Sequence, residues 1–453
     1  DNNSYSHNYG VESYLARINY GFKSRYYIDA SWRTDGSSRF HPSDRWGHFW
    51  SVGASWRISE EQFMENTRQW LDNLTLKVSY GVQGNDNLGT YYAWQGLYDY
   101  TWPNATDAGA FVDKLENRKV TWEKNGNLNA GIEATMFGGR LGVSVEYYNR
   151  KTRDMLLNSP LPISTGFTGF NDNVGSLRNQ GLEVSLRGTI LDKRDFRWDA
   201  TLMGSFNRNK VLSLTGGQDV ITSGIRVIEV GRPIYTFYLP KTAGVDPATG
   251  KQLYYAYWTQ TVNDEGTLVN TRCDEYITDN VAMATLSKYY HESREPKLFG
   301  SIGSTFTILK NIDVSFLTTY SIGGWVYDGL YNGSMYVQYA GNNWHKNAKR
   351  RWQKPGDKTD VPMLEVGGSY ATTSNSLIDA SYFAIKNITV GYTLPKRWLK
   401  KIDIESLRIY ATLDNIAMFN HMDGMDPQYN FTGSVAYSYT PSRVIAFGID
   451  LNF

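Results

Sequence analysis

The sequence predicts an all-β fold, a transmembrane antiparallel β-barrel, and three observations carry that reading. Segments of roughly ten residues alternate apolar and polar side chains, the period of a strand with two different faces. The connections between these segments alternate short and long along the chain. The composition is rich in aromatics, 15% of 453 residues with 33 Tyr and 14 Trp, yet the mean hydropathy is only −0.46. No run approaches the roughly eighteen apolar residues that a spanning helix needs, so a helical membrane protein is excluded. A barrel strand needs only one apolar face and is hydrophilic on average.

About thirteen strands follow from this pattern, each near the length a tilted strand needs to cross hydrocarbon. The first lies over 11–22 and the second over 24–34, where Tyr26, Ile28, Ala30 and Trp32 alternate with Tyr27, Asp29, Ser31 and Arg33. Next come 46–57 and 73–83; in the latter Leu74, Leu76, Val78 and Tyr80 alternate with Thr75, Lys77, Ser79 and Gly81. Strands over 126–136 and 139–151 precede 179–190, where Leu182, Val184, Leu186 and Ile190 oppose Glu183, Ser185, Arg187 and Thr189. The pattern continues at 196–207, 298–308, 311–324, 381–393 and 405–416, the last setting Leu407, Ile409, Ala411 and Leu413 against Ser406, Arg408, Tyr410 and Thr412. The final strand, 443–453, puts Ile445, Phe447, Ile449, Leu451 and Phe453 on one face, and Val444, Ala446, Gly448, Asp450 and Asn452 on the other. Charge at Ile449 or Leu451 should therefore cost more than charge at Asn452 or Gly448.

Short connections fall at 22–24, 137–138, 191–195, 309–310 and 394–404, and long ones at about 84–125, 152–178, 208–297, 325–380 and 417–442. The link at 58–72 is intermediate and occupies a short slot; the link at 35–45 is moderate and occupies a long one. Such parity is what an outer-membrane barrel shows. Counting back from Phe453 with that terminus in the periplasm places the short turns in the periplasm and the long loops outside. Tyr20, Trp50, Tyr80, Tyr147, Tyr148, Tyr320 and Tyr392 sit near strand ends, as an interfacial aromatic girdle would. An odd strand count would leave an open edge in lipid. The expectation is therefore the C-terminal thirteen or so strands of a plugged barrel of about 22 strands, with the partner strands preceding Asp1.

The motifs resemble one family along nearly the whole chain. WRTDGSSRF, followed by WGHFWSVGASWRISEEQFM, is similar to its R-x-D-G-S-S-R-F stretch, and LTLKVSYGVQGND to its S-Y-G-x-x-G-N stretch. VEYYNRKTRDMLLNSPLP and NVGSLRNQGLEVSL resemble its Y-x-K-x-T-x-D-x-L and N-x-G-x-x-x-N-x-G-x-E strands. FAIKNITVGYTLP, RIYATLDNIAMF with GMDPQ, and PSRVIAFGIDLNF resemble its closing strands. The family is the SusC/RagA-like TonB-dependent transporters of Bacteroidota outer membranes. The resemblance implies that residues 1–453 are the C-terminal part of the receptor barrel, with signal peptide, TonB box, plug domain and early strands outside this chain. It implies energised import of oligomers, mostly glycans and sometimes peptides. The implied partners are a SusD-like lipoprotein lid, the TonB–ExbB–ExbD complex acting through the absent N-terminal region, and outer-membrane lipid. Two SusC–SusD pairs associating as a dimer would fit the same picture. Phe453, a terminal aromatic on the lipid face, resembles the assembly signal of such barrels.

Candidate residues come from the loops and the polar face. Loop aromatics can stack on sugar rings, each large ring carrying a polar handle; Trp94, Tyr98, Trp102, Tyr257, Trp258, Tyr339 and Trp344 are the substrate-binding candidates. The same residue types also pack loops or meet a partner. Arg33, Lys77, Glu183, Arg187, Arg408 and Asp450 are expected to face the lumen, where such groups tune selectivity or contact a plug. The six His show no metal-ligand spacing, Cys273 stands alone, and no nucleophile–base pattern occurs, so neither a metal, a cofactor nor an enzyme is expected. GNDN (84–87), NDN (171–173) and NDEG (263–266) lack calcium-loop spacing and read as turns. A net charge of +1 from 46 basic and 45 acidic residues, with no basic tract, gives no reason to expect nucleic acid. A passive porin or substrate-specific channel is the alternative function, and a barrel enzyme or adhesin a third. An upstream plug and TonB box would favour the transporter.

Overall fold

This computed structural model describes residues 6–453 except 101, 103–106, 108, 215–218, 336–340, 342, 366, 369, 401–403, 422–425, 429–431 and 436–438. The chain divides into two compact units, Asp1–Ile221 with Glu229–Arg232, and Thr222–Ile228 with Pro233–Phe453. None of the described helices is long and apolar enough to cross a membrane.

The first unit is an antiparallel meander of eight long strands: β1 (Val11–Phe22), β2 (Tyr26–Ser37), β3 (Trp46–Arg57), β4 (Leu71–Asn85), β5 (Glu123–Met136), β6 (Leu141–Arg153), β7 (Ser176–Lys193) and β8 (Phe196–Ser213). Directly opposed residues share a face of a sheet. One register row runs Ile28, Ala54, Val78, Ala130, Tyr147, Leu182, Phe206, and it is apolar throughout. The neighbouring row runs Tyr27, Ser55, Lys77, Gly131, Glu146, Glu183, Ser205, and it is polar. The apolar row is unburied: Ile28 is 50% exposed and Phe206 49%. A sheet whose apolar face lacks a protein cover is built for a hydrocarbon solvent.

The hairpin between β1 and β2 turns on Lys23 (φ 51°) and Ser24 (φ 55°), and the Arg25 amide donates to the Phe22 carbonyl at 3.0 Å. Two successive left-handed residues make the turn whose twist matches the strands. The neighbouring link folds as two short 3₁₀ turns, Ile58–Glu60 and Gln62–Thr67. Glu61 between them accepts hydrogen bonds from Arg25, Tyr26 and the Trp56 indole, which ties this link to the β1–β2 turn.

The second unit carries five long antiparallel strands in the order β9 (Leu298–Ile308), β10 (Ile312–Ile322), β11 (Tyr382–Thr393), β12 (Ser406–Asn420) and β13 (Val444–Asn452). The β9–β10 turn repeats the left-handed pair at Leu309 (φ 50°) and Lys310 (φ 64°). On β13 the apolar side chains Ile445, Phe447 and Ile449 are 60%, 81% and 67% exposed, and Asp450 lies on the other face against Arg408.

The thirteen long strands occur where the alternation places them. β7 and β8 run beyond the apolar stretch because polar cross-strand pairs extend the ladder: the Asn209 amide donates to the Asn179 side chain at 2.8 Å. One expectation needs correction. Tyr147 and Tyr148 cannot share a face; Tyr148 lies on the polar side, 6% exposed, with its hydroxyl donating to Asn207 at 2.8 Å, and does not belong to a girdle. At Gly448 a Cβ would come 2.2 Å from the far end of the Tyr410 ring, so a side chain there also requires that ring to move, which makes Gly448 an unclean reporter of the polar face.

Of the segment 208–297, read from sequence as one loop, residues 222–228 and 233–297 fold within the second unit. Strands Gln252–Val262 and Leu268–Thr278 form a hairpin beside Thr242–Val245, and Thr236–Pro240 pairs with Lys288–Ser293. Its core is shared with segment 325–380. Phe237 and Leu239 pack on Tyr327, and Tyr254, 1% exposed, packs on Ala284 and Ala371.

Candidate functional site

The long connections carry the aromatic residues singled out above, and the structure sorts them. Trp94 is half-buried in the first unit's loop core, packed against the cluster of Phe40, Phe49, Ala93, Val120 and Trp122, with His41 edge-on at 5.0 Å. Its ring holds the loop 84–125 down on β3. Tyr98 and Trp102 point away from that core, 60% and 68% exposed. Trp344 is 37% exposed. Tyr339 lies outside the described residues.

Tyr257 and Trp258 belong to the hairpin strand Gln252–Val262. The Ser287 hydroxyl accepts from both of their backbone amides, at 2.9 and 3.1 Å, so the segment ending at helix Val281–Leu286 locks the hairpin. Around Tyr257 the structure gathers groups that sequence reasoning missed. Tyr289 stands edge-on to Tyr257 at 5.3 Å, and Tyr290 lies 4.9 Å from Tyr238. The Arg272 guanidinium sits 5.2 Å from the Tyr257 ring, and the Lys241 ammonium 4.4 Å from Tyr255 and 5.8 Å from Tyr289. Adjacent Tyr289 and Tyr290 alternate to opposite sides of a strand and so reach different partners.

These tyrosines are locked by their hydroxyls. Tyr257 donates to the Lys288 carbonyl at 2.6 Å and Tyr289 to the Glu275 carboxylate at 2.9 Å. Burial pushes both hydroxyls well above the ordinary tyrosine range, reinforced at Tyr257 by Tyr238 and at Tyr289 by Glu275. Nearby His291 is held below its usual value by burial and bonds the Leu239 carbonyl at 3.2 Å. The cluster offers aromatic faces, two cations and one carboxylate. Such a set binds by stacking and polar contact and contains no nucleophile–base pair.

The polar face of the sheets holds the charged candidates. Arg33 pairs with Asp35 at 2.6 Å and reaches Ser13 at 3.1 Å. Lys77 pairs with Glu133. Glu183 opposes Glu146, and Arg187 opposes Gly142 and Thr201. Arg408 bridges Asp313 at 2.7 Å and Asp450 at 3.2 Å. Phe453 ends the apolar face of β13 at 86% exposure.

Asp86 and Asn173, read as turn residues, are anchors. Asp86 accepts from Tyr9, Ser37 and Arg39. The Asn173 side chain donates to the Thr121 and Asp154 carbonyls and accepts from the Thr121 amide, each at 2.9 Å. NDEG turns as expected, the Asn263 side chain accepting from the amides of Glu265 and Thr267, and so does GNDN, where the Asn85 side chain accepts from the Asn87 amide and Asn87 from the Gly89 amide; NDN instead ends the strand Gly169–Asn173.

With this geometry in place, comparison with known proteins is informative. The chain is 29% identical to TonB-dependent receptor P26 of Formosa agariphila, an alignment covering 98% of this chain and 46% of that receptor. It is 28% identical to TonB-dependent receptor SusC of Bacteroides thetaiotaomicron, covering 97% of this chain and 43% of SusC. Among solved structures it superimposes on the RagAB peptide transporter with a TM-score of 0.83 at 29% identity, covering 98% of this chain and 48% of that one. The chain thus spans just under half the length of the curated relatives it matches. Residues 1–416 match the family described as TonB dependent receptor-like, beta-barrel. The chain belongs to that family of outer-membrane β-barrels.

Proposed function

We propose that this chain forms the C-terminal barrel wall and outer loops of a TonB-dependent importer of oligopeptides or oligosaccharides. The observation that carries the reading is the likeness to RagAB, a peptide transporter, over 98% of the chain at a TM-score of 0.83. The apolar face meets lipid, the polar face with Arg33, Lys77, Glu183, Arg187, Arg408 and Asp450 lines the lumen, and the long loops are extracellular. Residues 1–453 work with a plug and TonB box supplied from an N-terminal region, with the TonB–ExbB–ExbD complex as motor, a SusD-like lipoprotein as lid, and dimeric pairing of transporter and lid.

Oligomeric cargo suits the loop chemistry. A repeating chain presents several faces and hydrogen-bonding groups at once, and Tyr255, Tyr257 and Arg272 of the hairpin, with Lys241, Tyr289 and Tyr290 beside it, offer matching contacts. The test is uptake of fluorescent tryptic peptides and malto-oligosaccharides by cells expressing the full-length receptor and its lipoprotein. Uptake that stops when the inner-membrane potential is collapsed supports an energised importer. Uptake that continues unchanged identifies a passive channel.

A further inference from the structure

The outer, apolar face of β5–β8 ends in a row of cations. Lys151, Arg178 and Lys210 are directly opposed on three neighbouring strands. Arg153 faces Lys124 one step toward the long connections, and Arg208 lies one step toward the apolar stretch, opposite Gln180. Directly opposed like charges repel and destabilise a sheet. The usual remedy, an interleaved carboxylate, is missing on this face: Glu133, Glu146 and Glu183 alternate onto the other side. Where the chain returns beside Val211, Glu229 is taken up by Arg232 at 2.7 Å. Among the described residues, none of these six basic side chains makes an ion pair or a side-chain hydrogen bond.

The position of the row is as informative as its charge. On β7 the apolar face runs from Ile190 to Leu182, about 26 Å along the strand at ~3.3 Å per residue. At the usual tilt of roughly 35–45° that length rises about 20 Å, and the further step to Gln180 brings the rise to roughly 25 Å, the height of the apolar band of an outer-membrane barrel. Gln180 and Arg178 follow immediately, so the cations begin where hydrocarbon gives way to headgroups. Directly below them, Leu128, Tyr147, Leu182 and Phe206 offer an open apolar wall. On β2 and β3 the same register row carries Trp32 and Trp50, aromatic and uncharged, so the basic character is local to β6–β8. An anion joined to acyl chains satisfies both halves at once, and guanidinium and ammonium groups together suit a phosphate.

We propose that Lys151, Arg178 and Lys210, flanked by Lys124, Arg153 and Arg208, hold the phosphate of a phosphorylated membrane lipid whose acyl chains lie against this wall. The inference rests on the barrel reading only in taking the apolar face as the lipid face. The bound phosphate relieves the cross-strand repulsion and fixes the long-loop ends of β6–β8.

The test uses the full-length receptor extracted in mild detergent, with lipid binding followed by native mass spectrometry. The probes are monophosphoryl lipid A, the same lipid stripped of phosphate, and inorganic phosphate. Wild type should prefer the phosphorylated lipid, and free phosphate in excess should not displace it. The K151Q/R178Q/K210Q variant should bind the phosphorylated lipid about a hundred-fold more weakly and the stripped lipid as wild type does. Heat-dependent electrophoretic mobility reports whether the variant is folded; if it is not, Lys210→Gln alone should weaken binding about five-fold. Equal binding of both lipids by wild type, no loss in the folded variants, or displacement by free phosphate would each overturn the proposal. Binding is read without cargo or energy source, so a receptor that proved to be a passive channel would still show it.

Discussion

Arg408 reaches past Gly391 to Asp313, two strands away, with Nη2 2.7 Å from the carboxylate. The contact exists because β11 carries no side chain at that point: a Cβ on Gly391 would stand 2.5 Å from the Asp313 oxygen and 2.6 Å from Arg408 Nη2. The same guanidinium bonds Asp450 on β13 and lies 4.8 Å from the Tyr410 ring. One cation thus links β10, β12 and β13 across the intervening strand. Both partners of the Asp313 pair are 29% exposed, so solvent screening limits the pair itself to about 1 kcal/mol. Gly391→Val breaks it and adds overpacking, on the order of 1–3 kcal/mol more. Urea titration of the detergent-folded receptor should therefore show a larger loss for Gly391→Val than for Arg408→Gln. The reverse order would show that the gap at Gly391 is incidental.

The two faces of β13 make a sharper comparison once Gly448 is set aside. Ile449 lies on the apolar face at 67% exposure, and Ala446 is exposed on the polar face. Lysine at Ile449 should cost roughly 2–4 kcal/mol if it falls near the bilayer midplane. Lysine at Ala446 should cost well under ~1 kcal/mol, the range for surface changes. The measurement is the yield of folded receptor in the outer membrane, with its unfolding midpoint. Equal tolerance would mean that the faces are exchanged.

The strands were legible because each announces itself locally: Leu182, Val184 and Leu186 alternate with Glu183, Ser185 and Arg187 whatever the rest of the chain does. What joins distant segments was not. Asp313 and Arg408 are 95 residues apart, and only pairing through β11 brings them together. Gly391 gives no sign in sequence that it is a gap for a guanidinium. The basic row escaped because Lys151, Arg178 and Lys210 form no tract; register alone aligns them. In the loops the ring type was visible but its employment was not. Trp94 and Tyr254 are spent on loop cores, while Tyr289 and Tyr290, past the helix Val281–Leu286, complete the cluster around Tyr257.

Asn173 fastens three backbone groups of two segments with one side chain, bonding Thr121 through both its carbonyl and its amide and Asp154 through its carbonyl. Each such bond contributes about 0.5–1.5 kcal/mol, and a buried backbone group left unpaired costs more. Asn173→Ala should therefore loosen the segment around Thr121 without unfolding β7. Limited proteolysis would show faster cleavage between Lys114 and Lys119, with an unchanged midpoint for the barrel. Asn173→Asp should restore only the bond from the Thr121 amide, since a carboxylate cannot donate to the two carbonyls. Cleavage at the wild-type rate in both variants would show that the latch does not restrain the loop.

The tyrosine cluster makes a prediction in pH. Burial raises the Tyr257 and Tyr289 hydroxyls above the usual tyrosine value of 10.0, so the folded hairpin binds a proton more tightly than the unfolded chain does. The sign follows from linkage: stability from these groups is fully present below about pH 10 and declines as pH rises toward the higher folded-state values. Glu275 reinforces the shift at Tyr289, because a phenolate beside a carboxylate would meet like charge where a hydrogen bond now stands. Wild type should therefore lose the fluorescence signature of the loop hairpin in alkaline buffer while the barrel strands persist in circular dichroism. Tyr289→Phe removes one titrating group and should flatten the pH dependence, and it should lower stability at neutral pH by about 1 kcal/mol for the lost bond. Glu275→Gln should ease ionisation of Tyr289 and shift the ultraviolet tyrosinate titration to lower pH. A titration that stays in place in Glu275→Gln would separate Tyr289 from Glu275 and leave the shift to burial and the neighbouring Tyr257 and Tyr255.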